Sequence, residues 1–210
     1  MSETDQVDPA DRRPGGGEFS VGGTPIFDEL RGLFEQPPDW LGTSGTSETG
    51  EPPARILVTG GRGAGKTSFV GAVSETDPLH VESATDVGRI TLHPDLVLHL
   101  FGTSEPAQSD FRGVLGVVVL VDVRQIEAAF TTISYFETAS DLLFVVAVNM
   151  FDGELCHELD EVREALALGP DVPLMTCDAR DSASVAMVLQ ELVSHTMKAG
   201  PAPDGAGTTP

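Results

Sequence analysis

The ten residues Thr59 to Ser68, TGGRGAGKTS, sit between an apolar run, RILV, and a helix-forming run, FVGAV. Gly60, Gly65, Lys66 and Thr67 occupy the fixed positions of the pattern G-x-x-x-x-G-K-[ST], and Lys66 is one of only two lysines in the chain. The pattern demands a strand, a glycine turn and a helix in that order, because glycines let backbone N–H groups close around a phosphate and the helix then points its positive end at the anion. The backbone of Gly60, Gly61, Arg62, Gly63, Ala64, Gly65 and Lys66, with Thr67 and Ser68 opening the helix, is therefore the expected phosphate-binding run. Lys66 would meet the β- and γ-phosphates and Thr67 would ligate Mg²⁺. The bland alternative is a glycine-rich turn before a helix.

Downstream, apolar runs alternate with helical patterns. RILVT (55–59) precedes a helix through Val73; RITL (89–92) and LVLHLF (96–101) are close enough for a hairpin. VVVLVD (117–122), LLFVVAVN (142–149) and PLMTCD (173–178) are further strands, with helices expected over 125–137, 158–168 and 182–198. Unbroken Val and Leu runs are the habit of strands buried on both faces. The expected class is α/β, a six-stranded, mostly parallel sheet flanked by helices, with one antiparallel hairpin.

With 33 acidic residues against 12 basic ones, the net charge of −21 repels nucleic acid phosphates and anionic membrane surfaces, so neither is an expected partner. No run is long and apolar enough for membrane insertion, and the opening residues lack the apolar core of a signal peptide. Cys156 and Cys177, without a C-x-x-C spacing, read as free thiols of a reducing cytoplasm. Residues 1–54 hold eleven acids and three arginines amid Gly, Pro, Ser and Thr, the composition of a largely disordered arm. Within it, TPIFDELRGLFEQ (24–36) has the spacing of a short amphipathic helix, suited to covering the domain or a partner. The nucleotide-binding domain is expected over 55–198 and a flexible tail over 199–210.

Two strand ends have the character of base-reading loops. Asn149-Met150-Phe151-Asp152 matches N-x-x-D: a carboxylate at Asp152 can accept from guanine N1–H and its exocyclic amine, which adenine cannot offer, while Asn149 fixes the loop. Turn and helix-cap chemistry is the competing reading of the same two residues. Asp122 ends an apolar strand, as a magnesium-binding acid does in ATPases, which keeps an ATPase of different sheet order open. The five histidines are scattered, with no pair at helical spacing to suggest a metal site.

In order and spacing, GGRGAGKTSFVGAVSE, DVGRITL, DLVLHLFGT, GVVVLVDVRQ, FVVAVNMFDG, EVREALAL and VPLMTCDARD resemble the small Ras-like ATP/GTP-binding proteins of actinobacterial conservon operons, relatives of the MglA-type bacterial GTPases. The resemblance spans about residues 55 to 198. It implies a Ras-like fold, GTP or GDP with Mg²⁺ as ligands, and a base pocket from Asn149, Asp152, Cys177, Asp178, Ala179 and Arg180, with the Ala179 N–H facing guanine O6. It also implies a roadblock-type protein and a histidine-kinase-like sensor as partners, and a cytoplasmic protein recruited to a membrane-associated complex.

The chain departs from that pattern at both switches. Glu82 stands near the position of the first-switch threonine, with Thr85 the other candidate by distance from Thr67. FGTSEPAQSDF keeps Phe101-Gly102-Thr103 but lacks the family's Pro-Gly-Gln, leaving Gln108 as the nearby residue to orient water. Weak or absent intrinsic hydrolysis follows, since even complete Ras-like sites are slow without a supplied arginine. The expected function is a guanine-nucleotide-binding switch or scaffold; the alternatives are a pseudo-GTPase interaction module and an ATPase.

Overall fold

The computed structural model describes residues 28, 32–33, 54–75, 79–81, 85–93, 96–104, 111, 113–151 and 157–199. Its strands are β1 (Ala54–Gly60), β2 (Leu79–Val81), β3 (Thr85–His93), β4 (Leu96–Gly102), β5 (Val114–Val121), β6 (Phe144–Asn149) and β7 (Leu174–Cys177). The helices are α1 (Lys66–Val73), α2 (Glu127–Thr138), α3 (Leu159–Ala165) and α4 (Ser182–Ala199). All six expected strands are present. The seventh, β2, is a three-residue strand that extends one edge of the sheet.

The sheet order is β2-β3-β4-β1-β5-β6-β7. β4, β1, β5, β6 and β7 run parallel, while β2 with β3 and β3 with β4 pair antiparallel, so the expected hairpin is there. From β1 the chain moves first toward β4 and later returns to lay β5 on the other side. That reversal opens a crevice at the carboxyl ends of the strands, where ligands of such sheets bind.

Strands β5 and β6 are buried almost end to end because helices cover both faces. On one face α1 and α4 pack against each other and against the sheet. Their Phe69, Val70, Val73, Val185, Leu189 and Leu192 meet Ile56, Val58, Leu98, Leu100, Val118 and Leu120. On the other face α2 and α3 place Ala129, Ile133, Phe136 and Val162 over Leu57, Val117, Val119, Val146 and Val148. Burying Phe69 completely contributes about 2–3 kcal/mol. Gly88 and Gly116 allow the first layer to close: a Cβ at Gly88 would lie 2.6 Å from Val70 Cγ1, and one at Gly116 2.8 Å from Leu192 Cδ1.

Helix α3 ends three residues before the expected Leu168, because the chain turns left-handed at Ala167 (φ 52°). Arg163 then fastens the following loop, donating to the carbonyls of Gly169 at 2.8 Å and Val172 at 2.9 Å. Of the helix expected over 24–36, Asp28, Gly32 and Leu33 are described and helical, and Leu33 packs against the core beneath α1 and α4. The remainder of that segment, the rest of the arm and the tail beyond Ala199 lie outside the described residues.

Candidate functional site: the loops at the carboxyl edge of the sheet

The run Gly60 to Gly65 links the end of β1 to the start of α1, as the pattern requires. Gly60, Gly63 and Gly65 have φ of 142°, 81° and 103°, values that side-chain-bearing residues rarely adopt. Space is equally limiting: a Cβ at Gly60 would sit 2.2 Å from the Leu120 carbonyl oxygen, and one at Gly65 2.3 Å from Asn149 Nδ2. The Ala64 N–H turns back onto the Gly61 carbonyl at 3.2 Å, which tightens the loop. Gly65 caps α1 without a side chain and the first turn holds no acid, so no carboxylate of the helix itself competes with an incoming anion at its positive end. Arg62, Gly63, Thr67 and Ser68 are exposed, while Ala64 is buried.

Lys66 arches over the loop and donates from Nζ to the carbonyls of Gly60 at 3.0 Å and Gly61 at 2.8 Å. Burial lowers its pKa below that of an ordinary lysine, against the opposing pull of the Asp86 charge. The Thr67 hydroxyl donates to Asp86 Oδ2 at 2.6 Å. Asp86 is a buried residue of β3 whose cross-strand partner on β4 is Gly102, and a Cβ at Gly102 would be 3.3 Å from its own Cβ. A small residue on β4 thus leaves room for a carboxylate from β3 to reach the helix threonine. The hydroxyl and carboxylate are hard oxygen ligands, the donor set Mg²⁺ prefers.

Asp86 was not among the residues that sequence reasoning selected. Its signal was faint, an acid at the start of a strand directly opposite the glycine that ends the next one. Thr85, beside it, begins β3 and pairs with Val81. Glu82 and Gln108 lie outside the described residues.

Asn149 ends β6 at 5% exposure and joins three elements. Its Nδ2 donates to the Ala64 carbonyl in the phosphate loop at 2.9 Å, and its Oδ1 accepts the Ala179 N–H from the loop after β7 at 3.0 Å. Turn or cap chemistry does not describe a side chain that bridges positions 85 and 30 residues away. The bridge also redirects Ala179: its N–H, expected to face guanine O6, is donated to Asn149. Met150 donates its N–H to the Cys177 carbonyl at 2.7 Å, tying the start of the base loop to β7. Asp152 lies outside the described residues.

The Cys177 side chain belongs to the core, and burial pushes its thiol up to about 11 despite a hydrogen bond with Ser184. Among the described residues, its link to the base loop is the backbone carbonyl that Met150 holds. Asp178 and Arg180 form a two-point ion pair, Nε to Oδ1 and Nη2 to Oδ2, each 3.0 Å. Asp122 follows β5, as expected, and its carboxylate holds the Arg124 N–H at 3.0 Å and the guanidinium at 2.9 Å. The Arg124 guanidinium in turn lies 3.9 Å from the centre of the Phe151 ring. The Arg124 guanidinium, helped by the Arg124 N–H, holds the Asp122 pKa below the usual carboxylate range, and this pairing absorbs the carboxylate that the ATPase reading needs for magnesium.

Among the described residues there is no cluster of three or more His, Cys, Asp or Glu able to hold a metal, and no helix is long and apolar enough to cross a membrane. No family model matches the chain, and no curated protein matches it. Among solved structures, the chain is similar to the FeoB G-domain from Methanococcus jannaschii, with a TM-score of 0.50 at 15% identity, over 69% of this chain and 98% of that one. At that identity the likeness speaks for the fold. With the order of its strands and the placement of its glycine loop, the chain has the fold of a Ras-like P-loop G-domain.

Proposed function

We propose that the chain is a guanine-nucleotide-binding switch or scaffold component of a bacterial signalling complex, with weak or absent GTP hydrolysis of its own. The observation that carries this reading is the Asn149 bridge, which locks the phosphate loop to the two loops that would flank a base. A glycine turn serving only as a connector has no need of a buried amide from another strand.

In this reading Lys66 and the first turn of α1 hold the phosphates, while Thr67 and Asp86 are the residues that would hold Mg²⁺, whose role is to neutralise phosphate charge. Asp152 reads the guanine N1 and N2 positions. The altered second switch, with Gln108 as its one candidate for orienting water, supports slow turnover. The resemblance to conservon-encoded and MglA-type proteins supports a roadblock-type protein and a histidine-kinase-like sensor as partners in the cytoplasm, beside a membrane-associated complex.

Calorimetric titration of nucleotide-stripped protein with GTP, GDP and ATP, with and without Mg²⁺, tests the reading. Guanine nucleotide binding that tightens with Mg²⁺ is expected. Failure of all three to bind leaves the second reading, a fold retained as an interaction module.

A further inference from the structure

The loop after β7, from Asp178 to Asp181, meets the end of β6 and the phosphate loop at Ala179. Ala179 is held by Asn149, and its Cβ lies 3.3 Å from the point where a side chain at Gly65 would begin. A purine whose phosphates reach the first loop and whose edge reaches the end of β6 therefore has this loop as its neighbouring wall.

Every backbone N–H of that wall has an acceptor within the protein. Asp178 donates to Ser184 Oγ at 3.0 Å, Ala179 to Asn149 Oδ1 at 3.0 Å, Arg180 to Asp178 Oδ1 at 2.9 Å, and Asp181 to the Asp178 carbonyl at 3.0 Å. Three of these acceptors are fixed by a helix, a buried bridge and a backbone turn. The fourth is the Asp178 carboxylate, which also takes the Arg180 guanidinium. Guanine carries an acceptor oxygen at position six and adenine a donor amine. A wall with an available N–H attracts the first and repels the second; a wall whose donors are all committed does neither.

We infer that Asp178 is a specificity-determining residue that blunts the choice of base, because its carboxylate occupies the Arg180 N–H that would otherwise recognise the six-position oxygen. The inference rests on the nucleotide-binding reading above and alters how narrowly the base is chosen. Selectivity for guanine then falls to recognition at positions one and two, and adenine nucleotides meet no repelling donor at position six.

The test is a set of dissociation constants for GTP, ATP and 6-thio-GTP, whose sulfur is a poor acceptor, on the full chain with Mg²⁺ at neutral pH. Wild-type protein is expected to prefer GTP over ATP by less than about a hundredfold, far below the 10⁴–10⁵ of fully matched polar sites, and to bind 6-thio-GTP within about threefold of GTP. Asp178→Ala, which releases the Arg180 N–H, is expected to raise the GTP preference by about tenfold and to make the thio analogue correspondingly weaker. Asp178→Asn keeps an acceptor at the same place and should behave as wild type. A wild-type preference above a hundredfold, or an Asp178→Ala preference that does not move, overturns the inference and leaves guanine binding standing. Binding of none of the three removes both. Should Asp178→Ala fail to fold, the wild-type GTP/ATP ratio and thio comparison decide alone.

Discussion

Replacing Asn149 with alanine removes one buried amide and orphans two backbone groups at once. The Ala64 carbonyl loses its 2.9 Å donor and the Ala179 N–H its 3.0 Å acceptor, at a site only 5% exposed. A buried backbone group left unpaired costs about 1–3 kcal/mol. Two such groups set a range of about 2–6 kcal/mol, and water entering the space of the lost side chain brings the result toward the lower half, about 2–4 kcal/mol. For a domain of this size that is a fall in Tm of roughly 5–15 °C. Thermal and urea unfolding of the purified variant beside wild type measure it. Asn149→Asp supplies a second point: its carboxylate still accepts the Ala179 N–H, but it buries a charge and sets an oxygen against the Ala64 carbonyl, so its loss should equal or exceed that of alanine. A destabilisation below about 1 kcal/mol for the alanine variant would refute the claim that this side chain ties the three loops together.

Lys66→Ala should weaken triphosphate binding by about tenfold or more, because it removes a charge-assisted contact from a partly desolvated site; unchanged affinity in calorimetry would sink the phosphate-loop reading. Burial depresses the Lys66 pKa, and a bound phosphate favours its charged form. Binding should therefore weaken as pH rises through the free-protein value, beginning below the range of an exposed lysine and vanishing as a trend in Lys66→Met. Asp86→Ala leaves the Thr67 hydroxyl without its carboxylate, and the gain in GTP affinity on adding Mg²⁺ should shrink by about tenfold; an undiminished gain would place the magnesium-holding acid elsewhere. In a Cys156→Ser background, a thiol reagent at neutral pH should not react with Cys177 until urea unfolds the protein, because the thiol is fully buried and its pKa is pushed up to about 11.

The central strands were legible because β5 and β6 are covered on both faces, so their sequences carry unbroken apolar runs. The phosphate loop was legible because its glycines answer backbone requirements that show as fixed spacing. Strand β2 was not, since three residues at a sheet edge carry no periodic signal. Asp86 was hidden for a different reason: its role comes from a glycine sixteen residues on, across an antiparallel pair, and from a hydroxyl nineteen residues back. The loop after β7 reads in the sequence as a candidate base wall, yet the commitment of its N–H groups depends on Asn149, Ser184 and the rotamer of Asp178. None of those is a property of the local string. Asp122 illustrates the converse, a residue whose sequence context fitted a catalytic acid and whose carboxylate is held by an arginine two positions away.

The pairing of α1 with α4 on one face of the sheet bears on the order in which the domain can mature during synthesis. Residues Val185, Leu189, Leu192 and Val193 of α4 complete the layer that seats Phe69, Val70 and Val73 of α1. A nascent chain that has not yet delivered residues 182–199 from the ribosome has made its glycine loop more than a hundred residues earlier, with the helix that anchors it only half covered. The first motif to be translated is thus among the last to be set in place, and a truncated product ending before Ser182 would carry the full nucleotide-binding signature on a helix supported by the sheet alone.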